Sequence, residues 1–151
     1  MKFIVLLFVI ILSSIAQAEE QPCATNSEDL IGHWQYTQYI YQGRTHPRPN
    51  PKLLLYFDFH KTGSNRIWWT RTNEDGFCER VGSYTYNTDR CEFTDEVVWV
   101  NPNNNRECAS DPDMQMGNIA TSRLEKKDEN LHLYFTLKGE PFIYVFEQVT
   151  K

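Results

Sequence analysis

The sequence predicts an all-β domain: an eight-stranded up-and-down antiparallel barrel with a short N-terminal helical turn. Eight segments rich in Tyr, Trp, Phe, Val, Leu and Thr recur at intervals of roughly ten to fifteen residues, the rhythm of antiparallel sheet. Short turns carrying Gly, Asn or Asp join several of them as hairpins. Four cysteines, an even number, follow a start that reads as an export signal, so the fold is expected to be cross-linked.

The signal is expected over residues 1–18. Lys2 precedes the apolar run Phe3 to Leu12, and Ser13, Ser14 and Ala16-Gln17-Ala18 supply the small-residue cleavage pattern. The run is short for a membrane span, and the chain turns polar at Glu19, Glu20 and Gln21, which favours cleavage over a retained anchor. A lipid anchor would need a cysteine directly after the cut, whereas Cys23 follows Pro22. The expectation is one domain over residues 19–151, secreted or periplasmic, with no stable membrane insertion.

The elements follow in order. Ser27 to Leu30 suits a helical turn capped by Asn26 or Ser27, and it would plug one end of the barrel. The strands are expected over His33–Tyr41, Lys52–His60, Asn65–Thr72 and Phe77–Tyr86, then Cys91–Val100, Asn118–Leu124, Asn130–Leu137 and Pro141–Val149. Lys61-Thr62-Gly63-Ser64, Asn73-Glu74-Asp75-Gly76, Asn87-Thr88-Asp89-Arg90 and Lys138-Gly139-Glu140 read as hairpin turns. In the seventh segment Leu131, Leu133, Phe135 and Leu137 alternate with His132, Tyr134 and Thr136, the period of a half-buried strand. Closing the meander into a barrel removes its exposed edges.

Composition narrows the function. Net charge is −5, and −6 once Lys2 leaves with the signal. With no basic cluster, nucleic acid and anionic membrane surfaces are poor partners. No Cys-x-x-Cys pair appears, which argues against a redox motif or a zinc site. His33, His46, His60 and His132 are scattered without metal-ligand spacing or a nucleophile motif, so no catalytic residue, metal or cofactor is assigned. Glu107, Asp111 and Asp113 form an acidic loop without the glycine-punctuated pattern of a dedicated calcium site, and a solvated loop is expected.

Leu30-Ile31-Gly32-His33-Trp34 places a Gly-x-Trp at the start of the first strand, after a short turn, and so resembles the lipocalin signature. The Leu55 to Gly63 stretch and Gly82-Ser83-Tyr84 are similar to lipocalin-like domains of secreted and periplasmic proteins. The resemblance implies structural roles for Gly32 and Trp34, with the tryptophan closing the barrel floor. It departs at the last strand, where lipocalins usually pack an arginine over the tryptophan; Lys151 and Arg123 are the candidates to stand in. In such a barrel, connections alternate between the two ends. Cys23 and Cys91 then fall at the floor and Cys78 and Cys108 at the open end, which predicts the bonds Cys23–Cys91 and Cys78–Cys108.

The resemblance implies noncovalent binding of a small hydrophobic or amphipathic ligand inside the barrel. Gln42 to Pro51 and Asn101 to Gly117 are long connections at the open end and resemble a lid. Candidate lining residues are Tyr36, Gln38, Trp69, Arg71, Tyr84, Trp99 and Tyr134, with Arg71 suited to a carboxylate or phosphate. A one-residue slip inverts that set and puts Arg66, Arg71 and Arg80 on an outer face. The competing function is a protein-binding module or inhibitor using the open-end loops, with Tyr39 and Tyr41 as anchors. An enzyme ranks last, with His60, Arg71 and Tyr84 its only candidates.

Overall fold

The structure, a computed structural model, describes residues 23–150. The expected signal over 1–18 and Lys151 lie outside them. Nine antiparallel strands form: β1 (Gly32–Tyr41), β2 (Arg44–Pro47), β3 (Leu53–Phe59), β4 (Ser64–Arg71), β5 (Phe77–Asn87), β6 (Glu92–Val100), β7 (Ile119–Lys127), β8 (Asn130–Leu137) and β9 (Glu140–Gln148). β1 and β3 to β9 pair in sequence, and β1 also pairs with β9, so eight strands close into a ring. The ninth, β2, was not expected. The Gln42–Pro51 connection folds back as a hairpin on β1, pairing Tyr41 with Arg44 and Gln38 with Pro47. Gln42 (φ 49°) and Gly43 (φ 71°) both take the left-handed conformation that a tight, strand-matched hairpin turn requires.

The N-terminal end of β1 is a sealed floor. A 3-10 turn forms over Ser27–Leu30, and the Asp29 carboxylate accepts a hydrogen bond from the Asn26 amide at 2.8 Å. Leu30 and Trp34 are completely buried, and the Trp34 indole Nε1 donates to the Leu30 carbonyl at 2.8 Å. Gly32 takes φ +152°, a conformation side chains rarely adopt, and a Cβ there would displace the end of the exposed Gln148 side chain at 2.7 Å and press on Trp34 Nε1 at 3.3 Å. Gln148, opposite Trp34 in the β1–β9 register, therefore occupies the ground where an arginine was sought. Arg123 does not stand in, since it lies beside Glu125 and Tyr134.

Both disulfides form as expected. Cys23–Cys91 ties the leader to the turn before β6, with Cα atoms 5.3 Å apart, and Cys78–Cys108 ties the β6–β7 connection to β5 at 5.7 Å. Such bonds persist in oxidising compartments rather than in a reducing cytosol. Among the described residues, no helix is long and apolar enough to cross a membrane.

Alternation sorts the side chains. Phe57 and Phe59 of β3, Phe93 of β6, Leu124 of β7, Leu131 and Leu133 of β8 and Phe146 of β9 join Leu30 and Trp34 in one buried cluster. The Phe59 ring meets Tyr84 and Phe93 edge-on at 5.2 and 5.5 Å, the arrangement aromatic quadrupoles favour. Outside the ring, Tyr56 stacks on Trp68 at 4.4 Å and on His33 at 5.0 Å, and His33 is hydrogen-bonded to Asp58. This aromatic and aliphatic packing, with the buried Asn65 and Asp95 beside Phe59 and Tyr84, fills the floor half of the ring.

Candidate functional site

The other half is hollow. A cavity of about 320 Å³ lies inside the ring, toward the ends of β3, β4, β8 and β9 that face away from the floor. Leu53, Leu55 and Phe57 supply one wall, and Ile67, Trp69 and Arg71 the next. Leu133, Phe135, Tyr144 and Phe146 face them from β8 and β9. Phe57, Leu133 and Phe146 also belong to the core cluster, so they form the bottom of the cavity. Asp111, Asp113 and Met114 come down from the β6–β7 connection and complete the lining.

That connection is a lid, and its root is fastened along β5. Asn101 and Asn105 donate backbone hydrogen bonds to the Glu79 and Phe77 carbonyls at 3.1 and 2.9 Å. Asn104 accepts from the Glu79 amide at 2.7 Å and donates to its carbonyl at 2.9 Å, so one side chain copies a neighbouring strand. The asparagine run at 103–105 is therefore a structural clasp. Burial pushes the Glu79 carboxyl up, but hydrogen bonds from Asn101 (2.6 Å) and Arg66 (2.5 Å) outweigh it and hold the group below the usual carboxylate range. Past the clasp come 3-10 turns over Arg106–Ser110 and Pro112–Met114, with Cys108 pinned to Cys78 and Met114 buried beside both. The Glu107 and Asp113 side chains stay exposed, as expected of a solvated loop, while Cys108 and Met114 together anchor it to the barrel wall.

A polar cluster supports the lid from inside the ring. Arg80, Asp95 and Asn65 are 4, 5 and 0% exposed. Arg80 pairs with Asp95 and donates to Asn65 Oδ1 at 2.7 Å, while Asn65 Nδ2 donates to Asp95 Oδ1 at 2.7 Å. The remaining donor, Arg80 Nε, reaches the Asp113 carbonyl at 3.1 Å. The buried ion pair is thus compensated by hydrogen bonds, the condition under which such a pair is tolerated. Gly82 makes the space, because a Cβ there would collide with Asp95 and lie 2.5 Å from Arg80 Nη1.

Of the seven expected lining residues, Trp69 and Arg71 line the cavity. Tyr36 lies just behind it, 3% exposed, with its ring edge-on to Tyr144 at 4.8 Å and its hydroxyl pKa pushed up to about 12 by burial. Tyr84 points inward but at the floor, where its hydroxyl donates to the His60 carbonyl at 3.3 Å. Gln38, Trp99 and Tyr134 require correction. β1 carries an irregularity between Tyr36, opposite Phe146, and Gln38, opposite Val145; the extra residue Thr37 turns Gln38 outward and Tyr39 inward. β6 does the same, with Gly82 opposite Val97 but Val81 opposite Trp99, so Val98 is the extra residue and Trp99 is 42% exposed. Tyr134 lies on the outer face of β8, where Arg123 and Lys127 sit over its ring and Glu125 accepts from its hydroxyl at 3.1 Å.

Other expectations resolve in the same way. Arg66 is outside as the alternative register had it, but Arg71 and Arg80 are inside. Arg71 is not free for an anion, since its Nη1 is 2.8 Å from Glu107 and 3.5 Å from Glu74. The Gln42–Pro51 half of the expected lid contributes nothing to the lining. Tyr39 is stacked between His46 and Phe142 at 5.0 and 5.1 Å and packs on the core, so it is no exposed anchor. His60 and Tyr84 at the floor and Arg71 at the far end do not come together.

Sequence reasoning missed most of the wall. Leu53, Leu55 and Phe57 alternate along β3 as Leu133 and Phe135 do along β8, a period-2 signal for a shared face that does not by itself say whether the face meets packed core or open space. Met114, Asp111 and Asp113 had no such signal, because a loop has no period. No protein-family model and no curated protein sequence matches the chain.

Proposed function

We propose that the chain is a lipocalin-like binding protein, exported by the segment over residues 1–18, that holds one small, partly apolar molecule noncovalently beneath the lid. The observation that carries this reading is the cavity of about 320 Å³, at the small end of the range for ligand pockets, with aromatic and aliphatic walls and few charged groups. An equal-sized ring with no ligand to hold would gain stability by filling that space with side chains, as its floor half does. Transport, storage and sensing all begin with this binding step.

Native mass spectrometry of the protein, purified gently from cells that export it, tests the reading. The expected result is an additional mass of a single small molecule that vanishes on denaturation. A clean apo mass, unchanged after incubation with a panel of apolar metabolites, would overturn it.

A second reading, a module that binds another protein through its open end, is favoured by Trp99, Met116 and Ile119, which are 42, 64 and 63% exposed. Large apolar side chains on a rim are common anchors at protein interfaces. A Trp99→Ala change would leave small-molecule binding intact on the first reading, and would weaken function on the second.

A further inference from the structure

The charges around the cavity are unequal. Its cationic lining residue, Arg71, is occupied by Glu107 and Glu74, and its guanidinium lies 5.2 Å from the Trp69 ring. Arg80, the nearest cation beneath the lid, is committed to Asp95 and Asn65 and touches Asp113 only through the backbone carbonyl. Asp111 accepts from the Asp113 amide at 3.0 Å. The Asp113 side chain is exposed at the mouth of the cavity, with no direct hydrogen bond or ion pair on its carboxylate among the described residues, while the charges of Asp111, Arg80 and Asp95 act on it. Both carboxylates act on Tyr144 opposite: burial first, then Asp111 and Asp113, push its hydroxyl pKa up.

We infer that the cavity selects a ligand carrying a protonated amine on a small aromatic or aliphatic body, with the amine against Asp113 and Asp111 and the body against Trp69, Phe135 and Tyr144. The inference rests on the cavity being the binding site and names the ligand class. A cation there gains an unpaired carboxylate partner and an aromatic wall, both of which attract it. A carboxylate of the same shape would meet Asp113 and Asp111 at the mouth while the lining cation, Arg71, is already paired with Glu107 and Glu74, so like charges repel it with no cation to offset them. Fatty acids and other organic anions are therefore disfavoured.

Isothermal titration calorimetry of the purified, disulfide-bonded protein with 2-phenylethylamine, 2-phenylethanol and 3-phenylpropanoate tests this. The three share a body and differ in the charge of the head group. The amine is expected to bind at least about tenfold more tightly than the alcohol, with the carboxylate weakest. Asp113→Asn is expected to remove most of the amine's advantage while leaving the affinity for the alcohol unchanged, which also reports that the variant is folded. Equal binding of amine and alcohol, a preference for the carboxylate, or an amine advantage that survives in the Asp111→Asn/Asp113→Asn double variant would overturn the inference. If the alcohol binds and the amine gains nothing, the cavity reading stands and the charge inference falls. If none of the three binds, the cavity reading falls and takes the inference with it.

Discussion

Gly82 shows how one residue fixes the interior. Its missing side chain lets Arg80, Asp95 and Asn65 meet inside the ring, and the same arginine carries the lid through the Asp113 carbonyl. Gly82→Ala forces that cluster apart, so it both overpacks the site and loosens a buried ion pair. The expected loss is about 2 to 4 kcal/mol of stability. Urea denaturation measures it, and a loss below about 0.5 kcal/mol, the level of an ordinary surface change, would contradict the role assigned to the glycine. The sequence marked Gly82 only through the resemblance of Gly82-Ser83-Tyr84, and Arg80 entered only as an outer-face residue of the alternative register. A charged residue in an alternating strand reads naturally as outward. Only the register, together with Asp95 on the neighbouring strand, reveals the compensation that lets it turn in.

At the scale of elements, the strands and their meander were legible because turn chemistry and period-2 alternation are local. The cysteine pairs were legible too, since parity in a meander needs only the order of the strands. What local pattern could not supply was the two single-residue irregularities at Thr37 and Val98. Each reverses the facing of all that follows in its strand, which is why Gln38 and Trp99 were misplaced while Trp69 and Arg71, on the regular strand β4, were not. β2 was hidden for a related reason: His46 and Pro47 have little strand propensity, and they extend because β1 offers them a free edge where β3 no longer pairs.

The lid is the element on which function depends. Its root is held by asparagines on β5 and its middle by Cys78–Cys108, which closes a span of 30 residues. Replacing both cysteines by serine is expected to cost about 3.5 kcal/mol on the chain-entropy account of such loops. More specifically, limited proteolysis should then cut within residues 101–117 well before the rest of the domain. Equal resistance of the variant and the parent would show that the asparagine clasp alone fixes the lid.

The whole molecule divides into a filled half and a hollow half along one ring. Trp34, Leu30 and the phenylalanines seal the floor around the covalent tie of Cys23 to Cys91, and the core stops at Phe57, Leu133 and Phe146. Above them the inward side chains of β3, β4, β8 and β9 leave a space of about 320 Å³ between the walls, and the lid closes part of the gap. The sequence implied a binding barrel through Gly-x-Trp and a lid from both Gln42 to Pro51 and Asn101 to Gly117, of which the second lines the cavity and the first does not, so the cavity itself was legible only in outline. Volume is a property of how all the walls pack, and no single residue carries it.

The most direct test of that division is a carbon-13 methyl spectrum of the protein titrated with a small neutral aromatic such as 2-phenylethanol. The account predicts saturable shifts at Leu53, Leu55, Ile67, Met114 and Leu133, with Leu30, Leu124 and Leu131 at the floor unmoved. Shifts confined to Met116, Ile119 and Val98 on the outer rim, or no shifts at all, would contradict a ligand cavity in the upper half of the ring.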